Sequence, residues 1–255
     1  MSDNVITSRE NALVKRLRQL AQDPAAYRKQ GQVWLEGDHL CRALLTRGGV
    51  PAMLVCTPDQ QLAVQAWGLP SSVRTVLLST ELMRHISGLE SPASMAFVLD
   101  LPAGRQLQPD APTVVLDRLQ DPGNAGSILR SAAAFGFRQV VALKGTAALW
   151  APKVLRAGMG AHFGLHLVEG CTADDLTTLR VPLLATSSHQ GDWLHRAQLP
   201  WPCAWLMGHE GQGVSEILMA RAAQTVRIAQ PGGEESLNVA AAAAICLHAS
   251  AVQVG

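Results

Sequence analysis

From Thr113 onward, short apolar runs alternate with longer stretches of mixed pattern. "TVVLD", "QVVALK", "GLHLVEG", "VPLLATS", "CAWLMG" and "TVRIAQ" read as strands. "GSILRSAAAFG", "APKVLRAGMG" and "ADDLTTLR" read as helices, as does the chain from Leu237 onward. Strands alternating with helices of this length predict an α/β fold with a mostly parallel sheet and helices on both faces. The first hundred residues repeat the alternation on a smaller scale. "TSRE" offers a capping box, after which Leu13, Leu17 and Leu20 follow helical spacing. "VWLEG", "AMLVCT", "RTVLLS" and "MAFVLD" read as strands. "HLCRALLTRG", "QLAVQAW" and "ELMRHIS" read as helices, the first ending at Gly48 and Gly49. Between the halves, "LPAGRQLQPDAP" holds three prolines and no periodicity, the composition of a linker. The predicted organisation is a small α/β domain over 1–101, a linker over 102–112 and a larger domain over 113–255.

Composition adds that 48% of the residues are apolar, enough to build a proper core, and that Ala, Leu and Val carry it because aromatics are only 4%. No stretch reads as a bilayer span or a signal peptide, so a cytoplasmic protein without a membrane is the expectation. The five cysteines form no C-x-x-C pair, which argues against a disulfide framework and a zinc site. His162 and His166 are four apart, but no Glu stands between them as in H-E-x-x-H, and Gly164 disfavours a helix. A net charge of +1 excludes strong nucleic-acid binding by bulk charge while allowing a local patch. Arg9, Lys15, Arg16, Arg18, Arg28 and Lys29 make such a patch against Glu10 and Asp23. It reads as a solvated helix face or as a phosphate-contacting one.

In parallel sheets ligands bind at the carboxyl ends of strands, so three polar loops that follow strands matter most. "DPGNAGSILR" carries Asn124, fit for a turn or a helix cap, and Arg130 among small residues, which reaches water or holds an anion. "GHEGQGVSE" has three glycines within six residues; these permit positive φ and close backbone approach. Glu210 sits among them and can accept several backbone N–H bonds or hold a cation. "AQPGGEESLNVA" places Ser236 and Asn238 at a helix start, where either is a good N-cap.

Together the three loops resemble the three signature motifs of the SpoU branch of the SPOUT RNA methyltransferases. The first is matched by Asn124, Gly126 and Arg130. "LMGHEGQGVS" matches the second through Gly208, Glu210 and Gly211. "RIAQPGGEESLNVAAAAAI" matches the third through Ile228, Ser236, Leu237, Asn238 and Val239. Residues 112–250 carry this likeness, and "VWLEGDHLCRALL" is similar to the family's L30e-like substrate-binding domain. Ala229 and Gln230 stand where the third motif usually has Pro-Met, and Pro92, Ala93 and Ser94 where the small domain usually has Pro-Gln-Gly.

The resemblance implies a C-terminal trefoil knot that forms an S-adenosylmethionine pocket. It implies a homodimer with a shared active site and methyl transfer to a ribose 2′-hydroxyl in rRNA or tRNA, with rRNA favoured by the L30e-like domain. The sulfonium donor is already activated, so the implied reaction requires no metal. Arg130 is the implied catalytic residue, given to the partner's pocket. Because a guanidinium stays protonated, it is read as gripping the target phosphate and stabilising alkoxide charge. Asn124 would orient Arg130, Glu210 would organise its loop or pair with Arg130, and Ser236 and Asn238 would position Arg130 or the ribose. Thr186, Gly208, Gly211, Ile228 and Leu237 would hold the cofactor, and Arg9, Lys15, Arg16 and Arg18 would bind RNA by shape and phosphates. A catalytically silent RNA-binding member of the same fold and an RNA base methyltransferase are the alternatives. A dinucleotide enzyme is disfavoured, since the first turn lacks its fingerprint and the acid that should follow.

Overall fold

The computed structural model describes residues 5–101, 104, 106–187, 190–232 and 236–254. The chain divides into two compact units, Met1–Ala103 with Trp150–Phe163, and Gly104–Leu149 with Gly164–Gly255.

In the first unit the chain runs α1 (Ala12–Gln22), α2 (Ala26–Gln30), β1 (Gln32–Glu36), α3 (Asp38–Thr46), β2 (Met53–Cys56), α4 (Gln61–Gln65), β3 (Arg74–Leu77), α5 (Thr80–Ile86) and β4 (Met95–Asp100). The four strands form one sheet in the order β1-β4-β2-β3. β4 runs antiparallel to both β1 and β2, while β2 and β3 are parallel. The sheet is therefore mixed, a feature that alternation in sequence does not reveal. α1 buries Val14, Leu17, Leu20 and Ala21, the face its spacing predicts. Its cap is Asn11, whose side chain accepts from Leu13 N at 2.9 Å. Thr7 and Glu10 do not form the expected capping box; Glu10 N instead donates to Ser8 Oγ at 3.2 Å.

The second unit holds β5 (Thr113–Leu116), α6 (Pro122–Ala134) and β6 (Gln139–Leu143). The chain then passes α7 (Pro152–Gly158), which belongs to the first unit, before β7 (His166–Cys171), β8 (Leu183–Thr186), β9 (Asp192–Trp193), β10 (Ala204–Met207), α8 (Glu216–Met219), β11 (Gln224–Arg227) and α9 (Val239–Val252). α7 packs against β1, with Val154 and Leu155 buried. Gly160 follows it at φ +84°, and a Cβ there would stand 2.4 Å from that of Ala43, so the segment closes on α3 only because residue 160 lacks a side chain. The expected helix "ADDLTTLR" shrinks to a 3₁₀ turn at Asp175–Thr178.

The seven strands of this unit form one all-parallel sheet, β7-β6-β5-β10-β8-β11-β9. Val141, Val115, Leu206 and Ala185 are paired neighbours in one row across it. All four are buried, which explains the unbroken apolar runs. From β5 the chain goes to β6 and β7 on one side; on the other it fills β8, then the edge strand β9, then β10 beside β5, and crosses β8 to β11. The β5/β10 boundary is thus the topological switch point, where α/β sheets bind ligands. α9 packs on α6 and β10, and Trp205 Nε1 donates to its buried Ser250 Oγ at 2.9 Å. Among the described residues no helix is long and apolar enough to cross a membrane.

Candidate active site

The site lies on the second unit, at the carboxyl ends of β5, β8, β10 and β11. Gly208 follows β10 directly. A Cβ on it would meet Gly213 C and Val214 N at 2.1 Å, so glycine is required for the loop to fold back on itself. His209 N donates to Gly213 O at 3.0 Å and Gly213 N to His209 O at 2.8 Å, closing the loop; Gly213 takes φ +70° at its turn. Gly211 N donates to His209 Nδ1 at 3.0 Å.

Glu210 projects from this closed loop toward the start of α6. Its Oε1 accepts from Asp121 N at 2.9 Å and from Asn124 Nδ2 at 3.3 Å, and its Oε2 from Gln120 N at 3.2 Å. Burial raises the Glu210 pKa, but the N–H groups of Asp121, Glu210 itself and Gln120, with the Asn124 amide, outweigh it and hold the carboxyl below its ordinary value. The loop thus uses a carboxylate to satisfy donors ahead of a helix. The cap of α6 is Asp121, which accepts from Asn124 N at 2.7 Å. Asn124 is thereby freed from capping. Its Oδ1 accepts from Asn238 Nδ2 at 3.0 Å. Asn238 is the N-cap of α9, accepting from Ala240 N at 2.9 Å and Ala241 N at 3.2 Å. One line of side chains, Glu210–Asn124–Asn238, therefore ties the three sequence loops together.

Beside Glu210, at one end of this line, lies a cleft of about 650 Å³. Thr186, Gly208, Gly211, Ile228 and Leu237 all line it, as do Glu210 and Ser236. Gly233, Glu234 and Glu235 of the third loop, and Pro102, Ala103 and Arg105 of the linker, lie outside the described residues. Arg130 is exposed on α6, six residues past Asn124 and therefore about 120° around the helix from it. Among the described residues it has no hydrogen-bond or ion-pair partner and does not line the cleft. Within one chain neither Asn124 nor Glu210 is bonded to Arg130; both act on the loops.

Two residues that sequence reasoning passed over brace the same loop. Asp117, at the end of β5, is buried, and its Oδ2 accepts from Ser215 N at 2.7 Å. Its Oδ1 accepts from Arg118 Nε at 3.2 Å. Arg118 Nη1 donates to Gln212 Oε1 at 3.0 Å, and Arg118 stands at φ +59°, unusual for a residue with a side chain. An acid closing a strand reads as a boundary residue, so nothing in the sequence marks this brace.

The basic patch maps to the first unit. Arg9, Lys15, Arg18 and His85 line a groove of about 540 Å³ with Glu10 and Asp23. Lys15 is paired with Glu10. Arg18 Nη1 lies 3.4 Å from His85 Nε2. Burial, then the charges of Arg18 and Arg9, hold the His85 pKa below its ordinary value. Arg16 is not part of this groove; it donates to Gln32 at the start of β1. His162 is buried beside Trp150, while His166 opens β7 and bonds Gln106 O at 2.7 Å, so the two histidines are carried by different elements. The five cysteines are buried and free, and burial pushes the thiols of Cys56 and Cys203 up to about 11 and that of Cys246 to about 12. Among the described residues no three His, Cys, Asp or Glu side chains converge as metal ligands.

Residues 111–248 match the SpoU rRNA Methylase family. The chain belongs to that family. A tRNA/rRNA methyltransferase of Synechocystis sp., itself uncharacterised, is 33% identical over 254 residues, 95% of this chain and 92% of that one. The 23S rRNA (guanosine(2553)-2′-O)-methyltransferase RlmP of Bacillus subtilis is 28% identical over 217 residues, 84% and 86% of the two chains. The structure of the AdoMet-bound rRNA methyltransferase from Sinorhizobium meliloti superposes with a TM-score of 0.85 at 25% identity, covering 99% of this chain and 98% of that one.

Proposed function

We propose that this SpoU protein methylates a ribose 2′-hydroxyl in RNA, using S-adenosylmethionine held in the cleft at the carboxyl ends of β8, β10 and β11. The observation that carries the site assignment is the cleft itself. Residues from the loops after β8, β10 and β11 converge on it, and the Glu210–Asn124–Asn238 line ties the second and third of these loops to the start of α6. Its size suits a nucleoside-sized ligand, and it offers aliphatic walls at Ile228 and Leu237 beside backbone groups at Gly208 and Gly211. When bound, S-adenosylmethionine supplies a methyl group on a positively charged sulfur.

Arg130 carries the chemistry on the RNA side. Its guanidinium grips the phosphate next to the target and stabilises negative charge as the 2′-oxygen loses its proton. The proton passes to a phosphate oxygen or to solvent, since the guanidinium cannot accept it. Ser236, at the cleft wall, positions the ribose, and Asn124, Glu210 and Asn238 fix the loops so that donor and hydroxyl are held in line.

Arg130 serves the cleft of a second copy in a homodimer. It is exposed and free of partners in its own chain, and α9 supplies a suitable surface. That helix contains no charged residue, yet Ala241, Ile245, His248 and Val252 form an exposed stripe along it. A helix apolar on all sides is normally covered. A trefoil knot is part of this reading, supported by Gln253, which accepts from Leu199 N at 2.9 Å and donates to Ala197 O at 3.1 Å. The groove of Arg9, Lys15 and Arg18 on an L30e-like first domain binds RNA phosphates. Of the two RNA classes rRNA is favoured, as is a cytoplasmic place of action where that RNA is made and assembled.

Alkaline digestion tests the reading. A 2′-O-methyl group removes the hydroxyl that cleaves the following phosphodiester. Label from S-adenosylmethionine should therefore appear in alkali-stable dinucleotides from rRNA. Label in mononucleotides would instead indicate a base methyltransferase, and no label despite cofactor binding a silent RNA-binding protein.

A further inference from the structure

Gln230 lies past the end of β11 and lines the cleft. Its Oε1 is buried and, among the described residues, has no hydrogen-bond partner. Buried acceptors are nearly always satisfied, so an orphan at a ligand cleft calls for an explanation. A methionine of similar length would fill the same space without that cost. The side chains of Ile228, Leu237, Val239 and Ala242 line the same cleft and are aliphatic. They suit the faces of a flat heterocycle and offer nothing to an ammonium group.

We infer that Gln230 is a specificity residue of the cleft: its side-chain carbonyl accepts a hydrogen bond from the exocyclic amine of the adenine of S-adenosylmethionine. This rests on the reading of the cleft as the cofactor site. The orphan oxygen gains its missing donor only when a ligand bearing an amine at that edge is bound. A site built to pair with a polar group rejects the analogue that lacks it.

The test is equilibrium binding by calorimetry, with no turnover involved. The ligands are S-adenosylhomocysteine and its analogue bearing hydrogen in place of the adenine amine. The proteins are wild type, Gln230→Met and Gln230→Ala. Wild type should prefer the amine-bearing ligand, and that preference should fall about tenfold in Gln230→Met, the size of one net hydrogen bond. Gln230→Met should melt without ligand at or above the wild-type temperature, because the orphan acceptor is gone, so loss of fold cannot imitate the result. An unchanged preference in both variants overturns the assignment of Gln230. Leu237→Trp, which fills the cleft wall, addresses the cleft separately. If wild type binds neither ligand, or if Leu237→Trp binds as wild type does, the cleft reading fails and the Gln230 assignment with it.

Discussion

Asn238 Nδ2 donates to Asn124 Oδ1 at 3.0 Å, joining the start of α9 to the first turn of α6. The direction of this bond is fixed at both ends. Asn238 Oδ1 is occupied capping α9, so its amide must donate outward. Asn124 therefore accepts with its oxygen and has only its own amide left for Glu210.

That polarity separates two substitutions of Asn238. Asn238→Asp keeps a capping oxygen and places a negative charge where the helix dipole favours it, but it faces Asn124 Oδ1 with an acceptor. Asn238→Ala loses the cap and should cost about 1 kcal/mol. Thermal unfolding should show Asp close to wild type and Ala lower. Methyl transfer should fall in both. An Asp variant with full activity would show that the Asn124 link is dispensable.

Glu210 gives a pH dependence with a definite sign. Its pKa in the folded protein lies below the ordinary 4.5, so the folded state favours the carboxylate. The contribution is fully present above about pH 4.5 and is lost as pH falls through the folded value. The melting-temperature gap between wild type and Glu210→Gln should be constant from pH 7 to 5 and shrink below. A gap that widens on acidification contradicts the bonding described for this loop.

Arg118 couples backbone strain to the loop brace. A left-handed conformation costs a residue with a side chain about 1–2 kcal/mol, which Arg118→Gly would relieve. The same change removes the bond to Gln212. We expect a melting temperature equal to or above that of wild type, together with several-fold weaker S-adenosylhomocysteine binding in calorimetry. A fall in melting temperature with unaltered binding would make Arg118 a purely structural residue.

His85 reports on the basic groove. Its pKa is held down by burial and by Arg18 and Arg9. RNA phosphates bound there would favour the imidazolium and raise it. NMR titration of the His85 ring should therefore move to higher pH when an rRNA fragment saturates the protein. An unmoved titration would place the RNA elsewhere.

The sheet of the second unit is legible because β5, β6 and β10 are buried on both faces, which leaves unbroken apolar runs. The reversal of β4 is not legible, since direction leaves no trace in periodicity. The departure of α7 into the first unit depends on a fit at Gly160 against Ala43 that spacing cannot show. At the site, Asn124, Glu210 and Asn238 stand out as polar residues in glycine-rich or helix-opening loops after strands. Their mutual bonds span 86 and 114 positions and emerge only when the sheet brings the loops together. Asp117 and Arg118 leave no mark because their roles depend on burial and on a positive φ.

In the proposed reaction Arg130 acts on RNA bound at the cleft while taking no part in building it. The most direct measurement is methyl transfer from labelled S-adenosylmethionine to bulk rRNA and tRNA by wild type and Arg130→Ala, with S-adenosylhomocysteine affinity measured in parallel. Wild type should form a 2′-O-methylated nucleoside whose yield falls at least a hundredfold in the variant, within the range for losing one preorganised electrostatic group, with ligand affinity unchanged. Full activity in Arg130→Ala, or a methylated base as the product, would overturn this role for Arg130.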